Sequence, residues 1–288
     1  IAISLIAFFL PFVGGSAVAL QFGLTMVQSL FMGLLLSITA VPVSAIVLMQ
    51  FGILNTKLGN TVITAAIIND IISLVVLSII LQIYTSEGTG ARINIDDIAW
   101  SGAKIVAFLG GIFLFDILFR KTASWLPEKA EPFFKKYLQT KEGAFGILLI
   151  TTITISLIAQ DIGLHFVIGT FFSGLVVYKE MIGRVNFSRV YGVISAITFG
   201  FFAPIFFALI GIEFQVQSLI NAIPLFVALL AVAVASKILA GYAGARLVKF
   251  SKDSSLAIGF LMNGRGMIEL VIASIGFAAG ILDLTLFS

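Results

Sequence analysis

The stretch TVITAAIINDIISLVVLSII, residues 61–80, places one carboxylate, Asp70, beside one amide, Asn69, in the middle of a mostly apolar run. A charge isolated among apolar side chains is costly in a soluble core. It is rarer still at membrane depth, where it marks an ion or proton path by default. Lys237 sits in the same way within a second apolar run, and Arg265 and Glu269 lie four residues apart in a third. A carboxylate shielded from water can hold a proton or a small cation but not both, and that competition is enough for exchange chemistry. Each group also has a plainer reading. Asp70 and Lys237 could instead be a buried pair tying two helices together. Arg265 with Glu269, and Asp116 with Arg120, have the spacing of simple salt bridges along a helix.

Two apolar segments carry signals that interrupt a helix. In SITAVPVS, residues 37–44, Pro42 removes a backbone donor and disfavours helix at Val41, while the Thr39 hydroxyl can bond the freed backbone. In MNGRGM, residues 262–267, Gly264 and Gly266 flank Arg265. Non-helical backbone at membrane depth survives only where it is buried in protein or lines a cavity. Either segment alone reads as a kink or a tight glycine contact. A pair of interrupted helices together with intramembrane charges points to a transport site.

The elements that must position these groups are membrane spans. Of the 288 residues, 60% are hydrophobic and 11% charged, against about a quarter charged in soluble domains. Apolar runs of helical length follow one another, and strict alternation is absent, which argues against a β-barrel. Hydropathy gives about nine helices, a to i, over 1–20, 25–51, 60–84, 98–120, 143–160, 163–180, 191–212, 219–246 and 254–282. The fold class is therefore all-α, a polytopic membrane protein. With the start of helix a in the cytoplasm, Lys57, the six basic residues of 120–141, Lys179, Arg184, Arg189, Arg246, Lys249 and Lys252 all fall inside, and Arg92 falls outside with Lys104 just within helix d. That asymmetry follows the positive-inside rule. The polar segment 121–142, with Trp125, Phe133, Phe134 and Tyr137 among lysines, suits an interfacial amphipathic stretch or an ordinary loop. Cysteine is absent and His165 is the sole histidine, which excludes disulfides, thiol chemistry and His-cluster metal sites. No catalytic serine, aspartyl-pair or histidine–metal arrangement is present, so an enzyme is not expected.

Four segments in order resemble the monovalent cation:proton antiporter superfamily, specifically its second family of Nap, Ger, Kef and CHX-type exchangers. SITAVPVSAIVLMQFGIL is similar to the first broken helix, and AAIINDIISLVV to the ion-site helix. GLHFVIGTFFSGLVV with FFAPIFFALIGIEF is similar to the small-residue helix and the proline–phenylalanine helix after it. ASKILAGYAGARL and GFLMNGRGMIELVIASIG are similar to the lysine helix and the second broken helix. The resemblance covers nearly the whole chain. It implies an inverted-repeat fold with two crossed discontinuous helices. On that basis 1–84 is a first core repeat, 85–212 a linker helix with scaffold or dimerisation helices, and 213–288 an incomplete second core repeat. Both ends read as truncated.

The resemblance also implies roles. Asp70 takes the place of the essential carboxylate and binds the proton or the monovalent cation, with Asn69 and Thr39 beside it. Lys237, Arg265 and Glu269 balance charge, and Pro42, Gly264 and Gly266 mark the helix breaks. The expected activity is exchange of a monovalent cation, sodium before potassium, for protons by alternating access. The expected partners are cations, protons, the lipid bilayer and a second copy in a homodimer, with no nucleic acid and no cofactor. The expected location is the plasma membrane. A Kef-like gated potassium efflux module and a sodium-coupled solute symporter are the competing readings. One departure bears on charge movement: many electrogenic members have two adjacent aspartates where this chain has Asn69–Asp70.

Overall fold

The computed structural model describes residues 1–88, 140–176 and 184–288, with isolated positions between 100 and 117. Asp116 and nearly all of the expected interfacial stretch 121–142 lie outside the described residues. The described elements are all helical: α1 (Ala2–Gln21), α2 (Met26–Ser37), α3 (Val41–Gln50), α4 (Lys57–Gly88), α5 (Lys141–Asp161), α6 (Phe166–Val176), α7 (Arg184–Ile197), a π-helical turn (Thr198–Phe202), α8 (Ala203–Glu213), α9 (Val216–Asn221), α10 (Ile223–Leu247), α11 (Lys252–Leu261), α12 (Met267–Ala278) and α13 (Leu284–Phe287). Six spans among the described residues are long and apolar enough to cross a bilayer, counting Met26–Gln50 and Phe187–Glu213 as one each. The chain is a polytopic α-helical membrane protein.

The chain divides into two compact units, Ile1–Arg92 with Ile212–Ser288, and Ile93–Gly211. In the first unit, α1 packs against α2 and α10, α10 packs against α11, and α4 packs against α1, α2, α3 and α11. In the second, α5 packs against α6 and α7. Each unit uses the same local device at a tight turn. QFGLT and DIGLH both end a helix on a glycine of positive φ, Gly23 at 84° and Gly163 at 86°. The leucine that follows donates its N–H to the carbonyl five residues back, Leu24 to Ala19 and Leu164 to Ala159. This is a Schellman-type cap, which only glycine adopts without strain. Helix α2 then starts on a capping box between Thr25 and Gln28.

The expected breaks are present. Helices α2 and α3 have 12 and 10 residues and are separated by extended backbone at 38–40. Helices α11 and α12 have 10 and 12 residues and are separated by 262–266. At 1.5 Å per residue each piece covers roughly half of a hydrocarbon core about 30 Å thick, so each break falls near mid-depth. Pro42 lies just after the first break, in the first turn of α3, rather than within it. A ring without an N–H costs nothing there, because first-turn donors have no partner inside the helix.

Helices in a bilayer gain contact by close approach at small residues. Gly15 of α1 faces Gly33 of α2, and Gly241 of α10 faces Gly259 of α11. A Cβ at Gly33 would stand 2.4 Å from the Phe12 carbonyl oxygen, which is backbone and cannot swing away. Gly33→Ala is therefore expected to lower stability by about 1–3 kcal/mol. Gly146→Ala, where an added Cβ meets nothing within 4 Å among the described residues beyond its own helix, is the control and should not lower stability. Thermal unfolding of the two variants in the same detergent reads the difference.

Candidate functional site

The site is built where the two interrupted helices meet, and it starts from the backbone. Non-helical residues leave N–H and C=O groups that water cannot reach at this depth, so they must pair with protein. Each break supplies the partners of the other. Ala40 N–H donates to the Gly264 carbonyl at 2.8 Å. The Thr39 hydroxyl donates to the Met262 carbonyl at 3.3 Å, and the Ser44 hydroxyl to the Leu261 carbonyl at 2.7 Å. Gly266 lies so close to Ala40 that an added Cβ would approach the Ala40 Cβ to 2.7 Å. Of the sequence-predicted groups, Thr39, Gly264 and Gly266 meet at this crossing.

Helix α4 brings Asn69 and Asp70 against it. The Asn69 amide nitrogen donates to the Ser37 carbonyl and to the Thr39 hydroxyl oxygen, both at 3.1 Å. Asn69 is fully buried and Asp70 is 5% exposed. Among the described residues, Asp70 Oδ1 is buried with no hydrogen-bond partner, and so is Asn69 Oδ1. Asp70 lies 13 residues from the start of α4 at Lys57, roughly 20 Å along the axis.

Two cations converge on the C-terminal end of α2, where carbonyls point outward and the helix dipole is negative. Lys237, fully buried in α10, donates from Nζ to the Ala7 carbonyl at 3.0 Å and to the Ser37 carbonyl through a short contact. Arg265 reaches the Leu36 carbonyl at 3.4 Å and pairs with Glu269. Glu269 sits in the first turn of α12, where the dipole favours an acid. The Arg265–Glu269 pair thus forms as the spacing predicts, while Arg265 also crosses to the other broken helix. Lys237 is within Coulombic reach of Asp70, Arg265 and Glu269, and its hydrogen bonds go to carbonyls. Of the charged residues singled out from sequence, Asp70 and Lys237 are buried, and Arg265 and Glu269 are partly exposed.

The structure adds groups with no side-chain signal in the sequence. The carbonyls of Ala7, Leu36 and Ser37 hold the cations, and backbone atoms leave no trace in residue type. Ser44 does carry a polar side chain, yet a single serine in an apolar helix ordinarily bonds its own preceding turn.

A buried carboxylate, Asp70, thus stands beside the crossing of two interrupted helices in a bundle of apolar spans. The chain belongs to the sodium/hydrogen exchanger family, whose transmembrane-domain model matches residues 1–288. It is 27% identical over 276 residues to the probable Na(+)/H(+) antiporter GerT of Bacillus cereus, covering 94% of this chain and 68% of that protein. It is 29% identical over 256 residues to a Na(+)/H(+) antiporter of Enterococcus hirae, covering 89% and 63%. It is 30% identical over 263 residues to Cation/H(+) antiporter 17 of Arabidopsis thaliana, covering 90% and 30%. The chain thus spans about two thirds of the bacterial relatives and about a third of the plant one.

Thr39→Val keeps the side-chain shape but removes the donor to Met262 and the acceptor for Asn69. It should cost about 1–3 kcal/mol, the penalty for stranding buried polar partners. Thermal unfolding of the purified protein in detergent measures it.

Proposed function

We propose that the chain is the membrane domain of a secondary antiporter that exchanges a monovalent cation for protons, with Asp70 as the shared binding group. The observation that carries this is the buried Asp70 oxygen, without a hydrogen-bond partner among the described residues, beside two interlocked helix breaks. A bare carboxylate at this depth is costly, and a bound proton or a bound cation relieves the cost. A site that crosses readily only when occupied by one or the other performs exchange. Hard cations seek oxygen ligands, and Thr39, Asn69 and the carbonyls of the two breaks supply neutral ones beside the single charge.

Alternating access needs a moving body and a static one. The unit formed by Ile1–Arg92 and Ile212–Ser288 carries Asp70, both breaks and both cations, and we assign it the moving role. Residues 93–211 then form the scaffold, on which a second copy would dimerise in the cell membrane. Sodium is favoured over potassium because both bacterial relatives above are named for Na(+)/H(+) exchange.

Asp70→Asn should abolish cation-driven proton flux in proteoliposomes while insertion and folding persist. Near-normal flux in that variant would remove Asp70 from the mechanism.

Asn69 cannot ionise, and Lys237 has its hydrogen bonds committed to the carbonyls of Ala7 and Ser37. One proton then exchanges for one monovalent cation, and no net charge crosses. An imposed potential of 100 mV is worth about 2.3 kcal/mol for each charge moved. The steady-state ion gradient should be indifferent to it once pH is clamped. A clear voltage dependence abolished by Lys237→Gln would assign a second proton to the lysine.

A further inference from the structure

Seven buried side-chain atoms have no hydrogen-bond partner among the described residues. Four are serine hydroxyls, those of Ser4, Ser16, Ser78 and Ser236, each able to rotate and donate as well as accept. The other three are Asn69 Oδ1 and Asn263 Oδ1, which can only accept, and Asp70 Oδ1, which can only accept while the carboxyl is ionised. An oxygen of this kind carries no hydrogen of its own, and the Asn69 amide is held in its orientation by the bonds of its nitrogen to Ser37 and Thr39. Such an oxygen needs a donor or a cation, and leaving it bare is unfavourable.

The residues that carry them are linked through Thr39 and the chain itself. Asn69 and Asp70 are consecutive on α4. The Asn69 amide nitrogen bonds Thr39 Oγ1 at 3.1 Å, and Thr39 Oγ1 bonds the Met262 carbonyl at 3.3 Å. Asn263 is the next residue, held between Met262 and Gly264, and the Gly264 carbonyl is itself fixed by Ala40 N–H at 2.8 Å. Asn263 therefore stands in the second break at the point where that break is bonded to the first. The nearby cations have hydrogen bonds elsewhere, Lys237 to Ala7 and Ser37, and Arg265 to Leu36 and Glu269. Neither bonds any of the three orphan oxygens.

We propose that Asn263 is a further ligand of the transported monovalent cation, its side-chain carbonyl oxygen adding to the oxygen shell that Asn69 and Asp70 begin. The donor set suits a single positive charge: one carboxylate neutralises it, and two amide oxygens replace lost water without adding charge. Because the oxygen comes from the second broken helix and the carboxylate from α4, the ion would bridge the two elements. Selectivity among alkali ions would then depend on the gap between Asn263 and Asp70. This inference rests on the reading of Asp70 as the exchange site.

The test uses the full-length protein in proteoliposomes, with proton flux measured against Na⁺, K⁺ and Li⁺ concentration at clamped pH. Asn263→Ala should raise the half-saturating cation concentration about 10-fold or more, the scale of one hydrogen-bond-strength contact to a charged group. The size of the effect should differ among the three ions. Asn263→Asp, which keeps an acceptor oxygen in place, should hold or tighten half-saturation and reorder the ions. It also serves if the alanine variant does not fold. Cation-dependent thermal stabilisation in detergent should fall in parallel for the alanine variant. An unchanged half-saturating concentration in Asn263→Ala, or a uniform loss of maximal rate for all three ions, would overturn the assignment. Asp70→Asn run alongside separates the two readings. If it is inactive while Asn263→Ala saturates as wild type, only the Asn263 role fails. If it transports normally, the exchange site itself is misplaced.

Discussion

Everything in the first unit depends on one constraint: backbone that leaves the helix inside a bilayer must find partners within the protein. The two breaks meet it reciprocally. Residues 39, 40 and 44 bond the carbonyls of 262, 264 and 261, so neither interrupted helix is satisfied without the other. The crossing is thus a requirement of hydrogen bonding before it is a feature of function. It also fixes what can stand beside it, because a carboxylate held there meets oriented carbonyls and amides in place of water.

The same constraint explains the cations. The end of α2 leaves carbonyls at mid-depth, and Lys237 and Arg265 bond those of Ser37 and Leu36. Their positive charge offsets the dipole of that half-helix as well as the acidic groups nearby. Removing either would leave carbonyls stranded in addition to changing the charge, so loss of transport in such variants needs a stability measurement beside it.

Much of this was legible in the sequence. Apolar runs gave helix α1 within a residue or two, because composition and span length leave little freedom in a bilayer. Asp70, Lys237, Arg265 and Glu269 stood out because ionisable groups are rare there. The breaks were legible from Pro42 and from Gly264–Gly266, although the first begins earlier, at Ile38, and the second already at Met262. A proline fixes where a new helix can start more firmly than where the old one stops. That the breaks bond one another was not legible, since it depends on carbonyls that every residue carries. Asn263 was visible as a letter, but its significance lies in an oxygen left without a partner, which only the packed structure shows.

The interlock also sets a schedule for biosynthesis. The Thr39–Met262 bond joins residues 223 positions apart. At 5–20 residues per second, a ribosome needs about 10–45 s to make the chain between them. Throughout that interval the first interrupted helix is in the membrane, or beside it, with the Ala40 N–H and the Thr39 and Ser44 hydroxyls lacking those acceptors. Water, a lipid headgroup region or an insertion factor must hold it until residues 261–264 emerge. A slowing of synthesis between the two breaks would lengthen the exposure, and its cost would appear as lost yield with no change in the finished protein.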